Sequence, residues 1–176
     1  MARNIEIKAR IPGIAAVLPA VTALATSGPT AIDQDDTFFP CPTGRLKLRE
    51  FADGTGELIF YQRPDTAGPK ESFYVKTPAR DPQGLRRTLE LAYGRAGRVR
   101  KHRTLYLAGR TRIHLDRVEG LGEFLELEVV LAEGEAPAAG AAEAEALLAR
   151  LGIGPDQLLT TAYVDLLAAN PSPLPR

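Results

Sequence analysis

Polar and apolar residues alternate over residues 4–11. Asn4, Glu6, Lys8 and Arg10 fall on one parity, and Ile5, Ile7, Ala9 and Ile11 on the other. A period of two predicts a half-buried strand. Residues 12–27 are rich in Ala, Leu and Val and predict a helix. Pro12 is placed to begin it, Pro19 to kink or split it, and Gly28-Pro29 to end it. Residues 35–39 predict a short strand stopped by Pro40-Cys41-Pro42. Alternation returns over residues 44–50, then a turn at Asp53-Gly54-Thr55-Gly56, then strands over 57–63 and 72–77 around a loop at 65–70. Helical spacing over 82–93 is bracketed by Asp81 as cap and Gly94 as stop. Three strands follow at 98–108, 112–118 and 123–131, with Gly109 and Gly120-Leu121-Gly122 as turns. Residues 132–141 read as an Ala-, Gly- and Pro-rich linker. Helices are expected over 143–151 and 156–169, and a disordered tail over 171–176. Seven or eight strands joined by short turns, with helices between or after them, predict an α+β protein. Its sheet is mostly antiparallel and open to closure into a barrel.

Composition narrows the field. The chain has 176 residues, 44% hydrophobic and 25% charged, as in an ordinary globular protein of one domain, taken as 1–170. Twenty-two cations and 22 acids sum to zero net charge, which removes the simplest case for a nucleic-acid binder. The charges are nonetheless segregated. Residues 85–112 carry nine basic groups and one acid, Glu90, whereas residues 116–165 carry eleven acids and two basic groups. One cysteine, Cys41, cannot form an internal disulfide and reads as structural. The N-terminus alternates charge and lacks the apolar core of a signal peptide. The most apolar stretch, 14–25, falls short of the roughly 20 residues a membrane span needs. The expected location is cytoplasmic, with no membrane and no nucleic acid as partner.

The polar faces of the strands carry the chemistry. Arg45, Lys47 and Arg49 share one face of their strand. The strand over 98–108 offers Lys101 and Arg103 on one parity. The next offers Arg112, His114 and Asp116, and the last offers Glu126 and Glu128. Any one such strand reads as a solvated outer face. Together they do not, because like charges on alternating positions repel unless counter-ions sit nearby. A divalent cation between Glu126 and Glu128, and anionic oxygens against the cations, would relieve both sets. That pairing of cradles suits triphosphate chemistry. No glycine-rich phosphate loop and no nucleophile motif is present. His102 and His114 lack a second nitrogen or sulfur ligand at useful spacing, which disfavours zinc. Arg86-Arg87 and the cations of 98–103 lack the interleaved aromatics of a single-strand binder. Tyr163 and Asp165, in an apolar helix, are read as packing and capping residues.

Asn4-Ile5-Glu6-Ile7-Lys8 resembles the ExExK signature of the CYTH superfamily, the triphosphate tunnel metalloenzymes. The likeness continues in order through Gln34-Asp35-Asp36-Thr37-Phe38-Phe39, the basic strand over 44–50, the pair Lys101 and Arg103, then Asp116, Gly120-Leu121-Gly122 and Phe124-Leu125-Glu126-Leu127-Glu128. It spans about residues 3–131. Among such proteins the chain is most similar to bacterial class IV adenylate cyclase-like members. The resemblance implies an eight-stranded antiparallel barrel forming a charged tunnel, with flanking helices. It implies Mg²⁺ or Mn²⁺ held by Glu6, Glu126 and Glu128 with Asp116 nearby. It places phosphate on Lys8, Lys47, Arg49, Lys101 and Arg103, with Arg45 and Arg112 as further contacts. Arg63 or Gln62 stands where the family has lysine. Lys8, Arg103, Glu126 and Glu128 would be the catalytic groups. Two positions depart from the pattern. Asn4 replaces the first Glu and brings no charge, and Lys47 stands where Arg is common.

The resulting expectation is a metal-dependent enzyme that converts ATP to cyclic AMP and pyrophosphate. Two alternatives stay open at this level. One is a triphosphatase acting on tripolyphosphate, thiamine triphosphate or a nucleoside triphosphate; the other is a binding module without turnover. A homodimer is also left open.

Overall fold

The computed structural model describes residues 2–66 and 68–170; the expected tail at 171–176 lies outside the described residues. Eight long strands form the framework: β1 (Ala2–Arg10), β2 (Ser27–Phe39), β3 (Arg45–Phe51), β4 (Gly56–Gln62), β5 (Lys70–Ala79), β6 (Gly97–Ala108), β7 (Thr111–Val118) and β8 (Gly122–Val130). Around the barrel their order is β1-β5-β4-β3-β2-β6-β7-β8, and β8 pairs back onto β1. Every pairing is antiparallel. Four helices flank the barrel: α1 (Ile14–Leu24), α2 (Pro82–Tyr93), α3 (Pro137–Arg150) and α4 (Tyr163–Ala169). None of them is long and apolar enough to cross a membrane.

The barrel is polar inside and apolar outside. Ile5 and Ile7 of β1, Ile113 and Leu115 of β7, and Leu125, Leu127 and Val129 of β8 face outward. They pack with Val17 and Val21 of α1 and Ala144, Leu147 and Leu148 of α3. The main hydrophobic core therefore lies between the sheet and these helices. The opposite parity of the same strands, including Lys8, His114, Asp116 and Glu126, is also buried. A smaller apolar cluster of Phe38, Val99, Val118 and Phe124 closes against Ala162, Tyr163 and Val164 at the start of α4.

Several sequence expectations need adjusting. Strand β2 is 13 residues long, where only 35–39 was expected. Its first half is exposed on both faces and pairs with β6 alone, so it has no burial alternation to read. Gly28-Pro29 lies within that strand and does not simply end a helix. Part of the expected linker over 132–141 belongs to α3, which Pro137 opens at its first position. The helix expected over 156–169 divides. A 3₁₀ turn at Pro155–Gln157 leads into a two-residue strand, β9 (Leu158–Leu159), and only then into α4. β5 covers one edge of β1 only from Ala2 to Glu6, and β9 pairs with Lys8 and Ala9 where β5 stops. The backbone groups left there need partners, and that need overrides the local helical spacing. Helix α2 is as the sequence predicts, with Asp81 accepting from the Gly84 N–H at 2.9 Å and Gly94 ending it at φ 74°.

Gly97, at the start of β6, lets α4 come close. A Cβ at that position would collide with Cγ2 of Val164, a β-branched side chain with little freedom to turn away. Gly97→Ala is expected to cost about 1–3 kcal/mol of stability, as overpacking does. Urea denaturation of the variant measures this; an unchanged midpoint would show that α4 is not held by that contact.

Candidate functional site

The inward parities of all eight strands converge on one cavity, lined by Glu6, Lys8, Lys47, Arg49, Arg63, Lys101, Arg103, Arg112, Glu126 and Glu128 among others. Cross-strand register explains how. Asp36 of β2 lies opposite Arg49 of β3, Arg103 of β6 opposite Asp116 of β7, and His114 of β7 opposite Glu126 of β8. Glu126 and Glu128 in turn lie opposite Lys8 and Glu6 of β1. Residues far apart in sequence thus become neighbours on one inner wall.

Three groups of ion pairs fill that wall. On the first, Asp36 accepts from Lys47 Nζ at 2.7 Å and from Arg49 Nε and Nη2, both at 2.7 Å. On the second, Asp116 accepts from Arg103 Nε and Nη2 at 2.7 Å, Lys101 Nζ at 3.1 Å and the Tyr163 hydroxyl at 3.0 Å. On the third, Glu126 meets Lys8 Nζ at 3.2 Å, Arg103 Nη2 at 3.1 Å and His114 Nδ1 at 3.2 Å. Beside it, Arg112 Nη1 donates to Glu128 at 3.2 Å and Arg63 Nη1 to Glu6 at 2.6 Å. Seven cations in these contacts face five carboxylates. Counted as ionised, these groups leave a surplus of positive charge in the interior.

Burial and neighbours set the protonation states. Burial opposes ionisation of Asp36, but Arg49 and Lys47 outweigh it and hold its carboxyl far below the usual range. The same contest leaves Glu126 well below its ordinary value, because Lys8 and Arg103 win over burial. Burial and the negative charge of Glu126 together push Glu6 up. Burial, then the nearby Arg49, pushes Lys47 down to about 7. Lys101 is pushed down to about 8 by burial and Arg103. Burial and Arg103 also lower His114, which favours the neutral imidazole. For both lysines burial is the main cause, and the neighbouring arginine adds to it.

Ten of the residues singled out from sequence line the cavity together: Glu6, Lys8, Lys47, Arg49, Arg63, Lys101, Arg103, Arg112, Glu126 and Glu128. Arg63 is the residue that turns inward, whereas Gln62 is exposed. Two candidates sit elsewhere. Arg45 lies outside the cavity lining and pairs with Asp65 at 3.1 Å and Asp165 at 2.7 Å. Asp116 faces inward but is fully enclosed behind Arg103, Lys101 and Tyr163, so it orients those cations. Asn4 lines the cavity at 2% exposure, and its buried side-chain oxygen has no hydrogen-bond partner among the described residues.

Three further residues surround the cavity: Asp36 and Tyr163 line it, and His114 contacts the lining residue Glu126. Asp36 sits beside Asp35 in sequence, and only the register shows which of the two faces in. Tyr163 packs on Phe124 as expected, but its ring also lies 3.7 Å from Lys8 Nζ and its hydroxyl serves Asp116. His114 was in view on the same parity as Arg112 and Asp116. Its partners are carboxylates across the ladder, so a search for nitrogen or sulfur neighbours passes over it. One donor atom each from His114, Glu126 and Glu128 lies within 4.8 Å of the others, a set able to hold a metal ion.

Comparison with known proteins places this architecture. The CYTH domain matches residues 2–163. The PH1012 protein of Pyrococcus horikoshii OT3 has the same fold, with a TM-score of 0.83, 24% identity, and coverage of 93% of this chain and 98% of that one. A Vibrio parahaemolyticus protein named as a candidate adenylate cyclase is similar at TM-score 0.74 and 19% identity, covering 94% and 97%. A Hippeastrum adenylyl cyclase candidate, described as having a dominant triphosphatase activity, is similar at TM-score 0.64 and 19% identity, covering 99% and 98%. No curated protein matches the chain. With the family matched across nearly its whole length and the charged barrel in place, the chain belongs to the CYTH domain family.

Proposed function

We propose that the protein is a divalent-metal-dependent enzyme that cleaves triphosphates by hydrolysis. The observation that carries this reading is the surplus of buried cations around one cavity, beside carboxylates able to hold a metal. Lys8, Lys47, Arg49, Arg63, Lys101, Arg103 and Arg112 bind the phosphate oxygens. Their positions are held by Asp36, Asp116, Glu126, Glu128 and Glu6 before substrate arrives, so little reorganisation accompanies binding. Glu126 and Glu128, with Glu6 nearby, would hold the Mg²⁺ or Mn²⁺; bound there, the ion supplies charge neutralisation on the phosphate chain. In hydrolysis, water attacks the terminal phosphorus, the bridging P–O bond breaks, and a diphosphate and phosphate leave. This needs only the phosphate chain, which is what the ionic lining suits.

A second reading is cyclisation of ATP, in which the ribose 3′-hydroxyl attacks the α-phosphorus and pyrophosphate leaves. The aromatic rings of Tyr61 and Tyr74 in the cavity lining favour it, because they offer apolar surface for a nucleoside.

Incubating the protein with ATP, tripolyphosphate and thiamine triphosphate in Mg²⁺ or Mn²⁺ separates the two. Phosphate release is expected. Cyclic AMP with pyrophosphate would replace hydrolysis with cyclisation, and binding without product would make the protein a carrier. No metal-dependent binding of any triphosphate would overturn the proposal. Glu126→Gln and Glu128→Gln should each lower turnover by about a hundredfold or more, the scale of losing key electrostatic groups, while circular dichroism stays native. Activity that survives both changes would remove these carboxylates from the site. Arg103→Ala should weaken triphosphate binding.

The lowered Lys47 predicts a proton linkage. At pH 8, above its value of about 7, the free amine is largely neutral. A bound polyanion raises that value and returns the proton, so binding takes one up and affinity falls as pH rises from 7 to 9. Calorimetry in buffers of different ionisation enthalpy should show net uptake, reduced in Lys47→Met. Equal uncorrected heats in all the buffers would show that Lys47 is already charged.

A further inference from the structure

His114 stands in the middle of β7 on its inward parity, 4% exposed, directly opposite Glu126 on β8. Its Nδ1 is 3.2 Å from Glu126 Oε1 and 3.9 Å from Glu128 Oε1. Atoms that ligate one first-row dication at about 2.1 Å lie roughly 3–4 Å apart, so these separations are those of a shared coordination sphere. Among the described residues this is the one cluster in which three such side chains bring donor atoms together. Arg103 Nη2 meets the same oxygen, Glu126 Oε1, at 3.1 Å, so an imidazolium at His114 would crowd that cation. A neutral ring presents a lone pair instead, and Glu126 and Glu128 supply the negative charge a dication needs.

We infer that His114 is a nitrogen ligand of the metal site, and that it turns a carboxylate site suited to Mg²⁺ into one that prefers Mn²⁺ or Co²⁺. This rests on the reading that Glu126 and Glu128 hold the metal. The chemistry follows from ligand softness. Mg²⁺ is a hard ion that takes oxygen ligands and keeps its waters. An imidazole nitrogen adds little for Mg²⁺ and much for ions later in the first transition row. A His and two carboxylates leave several coordination positions for water or phosphate oxygens, so the site stays open on the side of the substrate. A competing role for the ring is to donate a hydrogen bond to Glu126, which would keep its nitrogen off the metal.

The test uses the untagged 176-residue chain, in which the two histidines are His102 and His114. His102 is partly exposed and bonded to Asp33, which makes it the control. Mn²⁺ is bound to the protein in the absence of any triphosphate, and pulsed electron spin resonance reads coupling to directly ligated nitrogen. Nitrogen coupling is expected in the native protein and in His102→Gln, and is expected to vanish in His114→Gln. Calorimetry should show Mn²⁺ and Co²⁺ affinity falling about tenfold or more in His114→Gln, with Mg²⁺ affinity changed by less than about threefold. The native measurement stands even if the variant folds poorly. Mn²⁺ that binds in a Glu126→Gln-sensitive way without nitrogen coupling would overturn the inference and leave the metal-dependent reading intact. Coupling that persists in His114→Gln would also overturn it. No divalent binding at all would overturn both.

Discussion

The structure depends on one constraint: charges buried inside a closed barrel must be paired there. A buried ion without partners costs several kcal/mol, so a polar interior is tolerable only if each group meets an opposite one at good geometry. Asp36 and Asp116 meet that condition most fully. Each takes two parallel bonds from an arginine and one from a lysine. They are central to the site although neither is its most exposed member. They fix the guanidinium planes of Arg49 and Arg103, so that the proposed phosphate binding would find them already ordered.

The same constraint moves the hydrophobic core. The interior of an eight-stranded barrel is just wide enough for side chains to fill or for one small ligand. Here the strands turn Ile, Leu and Val outward, and α1 and α3 must cover them. The helices thus stabilise the framework without occupying its interior. One exception is α4, whose first residue, Tyr163, joins the apolar cluster around Phe124, touches Lys8 and Lys101 with its ring and bonds Asp116 with its hydroxyl. Packing at the barrel end and orientation of the cations are therefore coupled through one side chain.

Zero net charge acquires a local meaning. Basic groups of β3 and β6 meet acids of β2, β7 and β8 within the cavity, and the balance there is tilted toward positive. Glu119, Glu133 and Glu145, by contrast, are exposed and take no part in that balance. The total describes solubility, whereas the distribution inside the barrel describes what it can bind.

Alternation was readable in β1, β7 and β8 because one face of each strand is apolar and packed against helices, and in β3 because Leu46 and Leu48 share the face opposite its cations. That pattern determined the strands, the antiparallel class and the parity carrying Glu6, Lys8, Lys47, Arg49, Arg112, Glu126 and Glu128. It could not tell which face was the interior, since charged faces usually meet solvent. Barrel closure decided that. Register decided the partners: Asp36 over Asp35, Arg63 over Gln62, His114 beside Glu126, and Asp116 enclosed by Arg103. The division between β9 and α4 was also hidden, because it answers to the unpaired edge of β1 and not to the residues of the segment itself. Local spacing sets which side chains share a face; only the closed ladder sets which faces meet, because hydrogen-bonded neighbours come from distant parts of the chain.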